Sequence, residues 1–127
     1  MVRQEFHVED YWKVVVYYDV DHSLFGTIIR DMLSQGFSRE PLLEMMEVME
    51  EDTTKAVTCS NLETHVSYVL FNPHCSRRDY INSIVHEAEH VKQAMLEAYE
   101  VEDAGEAPAY TIGYLVGQMW KIFRGLL

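Results

Sequence analysis

Ser76-Arg77-Arg78-Asp79-Tyr80-Ile81-Asn82-Ser83-Ile84-Val85-His86-Glu87-Ala88-Glu89-His90 is the stretch from which the rest of the chain can be ordered. Ser76 with Asp79 three positions on is a variant of the helix capping box, and Pro73 breaks any element before it. Ile81, Ile84, Val85, Ala88, Val91, Met95 and Leu96 then recur at helical spacing. Good helix formers continue to about Glu102, with Gly105 as the expected stop. Pro108 suits the first turn of a further helix over about residues 107–124. On the long helix His86 and His90 lie one turn apart on the same face.

Upstream, Trp12–Val20 is dense in β-branched and aromatic residues and reads as a buried strand. Leu24, Phe25, Ile28, Ile29, Met32 and Leu33 outline an amphipathic helix that Gly36 ends. Ser38 and Pro41 start another, whose apolar face holds Leu42, Leu43, Met45, Met46 and Met49. Lys55–Cys59 and Thr64–Phe71 read as two strands joined by Ser60–Glu63. Strands and helices segregate along the chain. The expectation is an α+β fold: a small, mostly antiparallel sheet with helices on one face, the long helix being followed by a C-terminal one. At 127 residues, the chain 1–127 is expected to form a single domain.

His86-Glu87-Ala88-Glu89-His90 has the H-E-x-x-H form. Two imidazoles at i and i+4 can converge on one tetrahedral cation at about 2.0–2.1 Å each. Glu87 sits between them, where its carboxylate can reach a water on the metal and act as general base. With this chain's 6 His, chance alone would give such a pattern about 3% of the time, so a third ligand is needed as support. Glu106, where the chain reverses into its last helix, is the leading candidate for closing a His2Glu zinc site. Glu102 and Asp103 compete if the long helix ends early; Glu97, two turns beyond His90, is out of range after about 10 Å of rise along the axis. Tyr110 and Tyr114, one and two turns after Glu106, are candidate oxyanion donors, against a default of core packing. His74 is a candidate substrate contact because it flanks the presumed cleft strand. Gly113 and Gly117 in the last helix suggest close approach to the long one. Glu87-x-x-His90 also meets the spacing of di-iron bundles, but the second such pair that those need is missing from the sequence.

The pattern Val85-His86-Glu87-x-x-His90, then Gly105-Glu106-x-Pro108-Ala109-Tyr110-x-x-Gly113, resembles gluzincin-type zincin metallopeptidases. It is similar to small zincin-like proteins of phages and mobile elements in bacteria. The resemblance implies a zincin-like fold, zinc held by His86, His90 and Glu106, and Glu87 as general base. It also implies that Thr64–Phe71, the strand before the motif helix, walls the cleft and pairs with an extended peptide or protein substrate. A zinc-dependent hydrolase, a small peptidase, is the leading expectation. The alternative is a zinc-binding accessory or interaction protein without useful catalysis.

The formal charge of −11 argues against nucleic acid and anionic membrane as partners, because an acidic surface repels both. Two cysteines, Cys59 and Cys75, give no disulfide framework and suit a reducing compartment. The polar N-terminal residues lack an apolar signal core, and no stretch reaches the roughly 18 apolar residues of a membrane span. A cytoplasmic location is the corresponding expectation.

Overall fold

The computed structural model describes residues 1–126. Four strands, β1 (Val2–Val8), β2 (Trp12–Tyr18), β3 (Ala56–Asn61) and β4 (Val66–Phe71), form one sheet in the order β1-β2-β4-β3. Four helices accompany it: α1 (Phe25–Ser34), α2 (Arg39–Glu50), α3 (Arg77–Tyr99) and α4 (Glu106–Phe123). The fold is α+β, and the sheet is mixed. β1 and β3 run antiparallel to their neighbours, while β2 and β4 pair in parallel. Among the described residues, no helix is long and apolar enough to cross a membrane.

The helices cover both faces of the sheet, which corrects the expectation of one covered face. On one face Trp12, Val14, Val16 and Tyr18 of β2 and Val69 and Phe71 of β4 pack against Tyr80, Ile84, Ala88 and Val91 of α3 and Leu115, Met119 and Phe123 of α4. On the other, Val15, Tyr17, Tyr68 and Leu70 pack against Phe25, Ile28 and Met32 of α1 and Leu42, Met45 and Met49 of α2. Alternate residues of a strand point to opposite faces, so a strand covered twice reads as apolar at nearly every position. β4 is buried at all six positions, and β2 at every position except Lys13. The methionines of α2 serve as core packing.

β1 lay hidden in a polar terminus. As an edge strand it buries only Phe6 and Val8, and leaves Arg3, Glu5 and His7 partly in water. Its pairing makes β2 an internal strand, flanked by β1 and β4. The turn between α1 and α2 does need its glycine: Gly36 has φ +89°, and a Cβ there would meet the Thr64 methyl at 2.9 Å. Gly113 and Gly117 behave differently from expectation. Both are exposed, and a methyl group at either would meet open space, because α4 turns Leu115 and Met119 rather than its glycines toward α3.

Asp31 ties α1 to the sheet. Its carboxylate accepts from the hydroxyls of Tyr17 and Tyr68 and from Arg3 Nε at 3.0 Å. Burial alone would raise its pKa, but the three donors outweigh burial and hold it below the ordinary carboxylate value. A depressed carboxyl stabilises the fold above the unfolded pKa of about 3.9, and that contribution is lost as pH falls through the folded value. Asp31→Asn is expected to cost about 1–2 kcal/mol at neutral pH, allowing for partial solvent screening, and to flatten the acid limb of the stability curve. Urea titrations of both proteins from neutral pH to pH 3 read this. Parallel curves at all pH values would show that the carboxylate contributes nothing through its charge.

Candidate metal centre

α3 starts as its sequence dictates: the Ser76 hydroxyl accepts from Asp79 N at 3.1 Å. The helix buries Tyr80, Ile84, Ala88 and Val91 inward, which turns His86 and His90 to the surface one turn apart. Their Nε2 atoms are 3.1 Å apart. Two nitrogens bound at 2.0–2.1 Å to one tetrahedral ion stand about 3.3 Å from each other, so this spacing fits shared coordination. One ligand atom from each of His86, Glu87 and His90 lies within 4.8 Å of the others, and this is the group of metal-binding type found among the described residues.

Glu87 is buried, in contrast to the exposed His86 and His90. The Thr58 hydroxyl on β3 donates to its Oε1 at 3.2 Å. Burial raises the Glu87 pKa above the ordinary carboxylate value, and Thr58 and the two histidines oppose this only in part. The carboxylate lines a cleft of about 570 Å³ with both histidines, the segment Thr54–Thr58 and Val48 of α2. Asn82 and Ser83, one turn before the motif, complete its α3 wall. Their spacing from His86 and Glu87 carried that signal, whereas nothing local marked Thr58, which arrives through the pairing of β3 with β4. The cleft strand is therefore β3 and not Thr64–Phe71. β4 is internal, with β2 on one side and β3 on the other, so its backbone has no free edge.

α3 stops at Tyr99, earlier than its helix-forming composition predicts, because Glu100 takes the left-handed conformation (φ 56°). Val101 N then bonds back to Leu96 O. Gly105, expected to be the stop, instead precedes α4 with φ +85°. The loop between folds back along α3: Asp103 pairs with Lys92 Nζ at 3.0 Å and accepts from Gln93 Nε2 at 2.7 Å. Lys92 also pairs with Glu89 at 2.8 Å. Asp103, a competitor for third ligand, is thus committed to a cation. Glu106 is exposed in the first turn of α4 and does not join the His86–Glu87–His90 group. Glu102 is exposed as well and stands outside it.

The remaining candidates lie elsewhere. Tyr110 is 74% exposed, and Tyr114 donates to the His7 carbonyl at 2.8 Å. Both line a different cavity, beside β1, because they occupy the outer surface of α4. His74 is buried and fully engaged. Its Nδ1–H donates to Asn72 O at 2.6 Å, which leaves Nε2 to accept from the Ser83 hydroxyl at 2.7 Å, and the ring stacks on Tyr80. Burial holds its pKa below the usual imidazole value, with the Asn72 carbonyl opposing. It braces the start of α3 and has no face in the cleft. Cys59 and Cys75 are free thiols. No family model, curated protein or solved structure matches the chain.

Proposed function

We propose that the chain is a zinc-dependent hydrolase acting on peptide bonds, with His86 and His90 as ligands and Glu87 as general base. The observation that carries this reading is the 3.1 Å Nε2–Nε2 spacing beside a buried carboxylate in an open cleft. A bound divalent ion would supply Lewis acidity and make an attached water more acidic. Glu87 would receive the proton of an attacking water and return it to the leaving amine. Its buried position favours holding that proton between the two steps, and Thr58 fixes one carboxylate oxygen so that the group does not turn away. The free edge of β3 along the cleft can align an extended chain through backbone hydrogen bonds.

Glu106 is proposed as the third ligand. Its support is the fold-back at Asp103, which ties the loop three residues before Glu106 to Lys92 and Gln93, in the turn of α3 that follows His90. The protein is expected to take up one zinc per chain, and His86→Ala to weaken that affinity by at least roughly 100-fold. Elemental analysis and competition with a chromophoric chelator measure both. Equal zinc retention by wild type and His86→Ala would end the metal reading.

A second reading has its own observation. Glu87 comes close enough to both histidines to be a ligand itself. A carboxylate bound to the ion has lost its role as base, and the protein would then be a zinc-binding interaction module. Zinc affinities of Glu87→Gln and Glu106→Ala separate the two. Loss with Glu106→Ala alone supports the hydrolase, and loss with Glu87→Gln alone supports the module.

A further inference from the structure

A groove of about 960 Å³ lies toward the C-terminal end of α3, beyond the histidines. Five residues of helix separate His90 from Met95 in its wall, about 7.5 Å of rise. The β1–β2 turn, the end of α3 and the outer surface of α4 bring four tyrosines into it: Tyr11, Tyr99, Tyr110 and Tyr114. Met95 contributes to the apolar wall. Tyr110 and Tyr11 are 74% and 68% exposed, far more than the packing of α4 or of the hairpin requires. Tyr11 meets Tyr99 edge to face at 6.4 Å.

The groove's charge points one way. Glu9 is its one charged lining residue, and no cationic side chain lines it. Glu9 stands at the tip of the β1–β2 hairpin, where Glu9 and Asp10 both adopt left-handed backbone (φ 50° and 63°). Such turns are normally made with Asn-Gly or Asp-Gly, and a non-glycine pair costs stability. What the pair provides is a carboxylate among the tyrosines that line the groove. Aromatic rings with one acid form a site for an organic cation, bound by ring quadrupoles and neutralised by the carboxylate. A groove of this volume is far larger than one guanidinium and has room for the neighbouring residues of a chain.

We propose that this groove is a docking site for a basic, extended peptide segment, with an arginine or lysine seated on the tyrosines opposite Glu9. The site is independent of the metal centre and of its chemistry. Docking here would hold a partner protein by a region outside the cleft.

The test uses the full-length protein and a fluorescein-labelled peptide of alternating arginine and proline, followed by anisotropy at 0.15 M salt. A glutamate–proline peptide and free arginine amide serve as comparisons. Saturable binding of the basic peptide alone is expected. Tyr11→Ala and Tyr110→Ala should each weaken it roughly two- to fivefold. Both change no charge, so they separate the groove from the general attraction of an acidic protein, and both rings are mostly exposed, so the fold should survive. Glu9→Lys should weaken binding by at least about tenfold, whereas Glu47→Lys, the same charge change on α2, should not, since charges beyond about 8 Å are screened at this salt. His86→Ala should bind the peptide as wild type does. The proposal is overturned by absence of saturable binding, by equal binding of the acidic peptide or of arginine amide, by unchanged affinity in both tyrosine variants, or by equal effects of the two lysine substitutions.

Discussion

Glu87→Gln is expected to leave zinc bound and lower peptide turnover by roughly 10²–10⁴-fold, the usual contribution of a positioned general base. Glutamine has the same shape and keeps an oxygen able to accept from Thr58, so the packing of α3 on β3 should not change. What is lost is the capacity to take up a proton. The measurement is a single-turnover assay on zinc-loaded wild type and variant, using a quenched-fluorescence peptide mixture, with metal content determined on the same samples. Full activity in the variant would remove Glu87 from the chemistry. Wild type that binds zinc and cleaves nothing would favour the interaction module.

The second large effect concerns stability. Trp12→Ala is expected to cost about 3–5 kcal/mol and to lower the melting temperature by roughly 10–20 °C. Trp12 is fully buried, and its Nε1–H donates to Ser67 Oγ at 2.9 Å. Its ring stacks on His65 and meets Tyr99 edge to face, joining β2 to β4 and to the end of α3. Against a typical total of 5–15 kcal/mol, such a loss leaves the chain marginal. Trp12→Phe separates packing from the hydrogen bond. Ser67 retains Ser60 as a partner at 2.6 Å, so no buried hydroxyl is orphaned and the variant should lose much less than the alanine. Thermal and urea unfolding read both. An alanine variant within 1 kcal/mol of wild type would contradict the role of this ring as the core's tie.

Local signals located most of the elements. The Ser76 cap, the spacing of Ile84, Ala88 and Val91, and the β-branched density of Trp12–Val20 each reflect forces acting within a few residues. So does the i, i+4 relation that brings His86 and His90 together, and the structure seats them as that relation requires. Long-range facts were illegible. Whether β2 has a neighbour on each side depends on β1, whose exposed polar residues carry the weak pattern of an edge. The run Val66–Phe71, apolar but for Ser67, did hold a clue to two covered faces, since a half-exposed strand would alternate more fully. The stop at Glu100 had no glycine to announce it, and it sets the length of the loop that carries Asp103 and places Glu106. Burial of Glu87 likewise depends on β3 and Thr58, from another part of the chain.

The sheet ends in two unlike margins. Along β1, Arg3 and Glu5 pair with each other, Arg3 reaches Asp31 and Glu5 meets Lys13, so a visiting strand would have to displace a charged network. β3 is uncharged from Ala56 to Asn61 and has no such guard. A flat, neutral margin is the usual starting point for chain-to-chain accretion, which proteins commonly block with lysine or proline. Here α2 and α3 flank that margin, so fibril-like stacking is hindered sterically rather than by repulsion. The same opening that admits a guest strand is then the protein's main exposure to self-association, and whatever fills it should also protect the protein in concentrated solution.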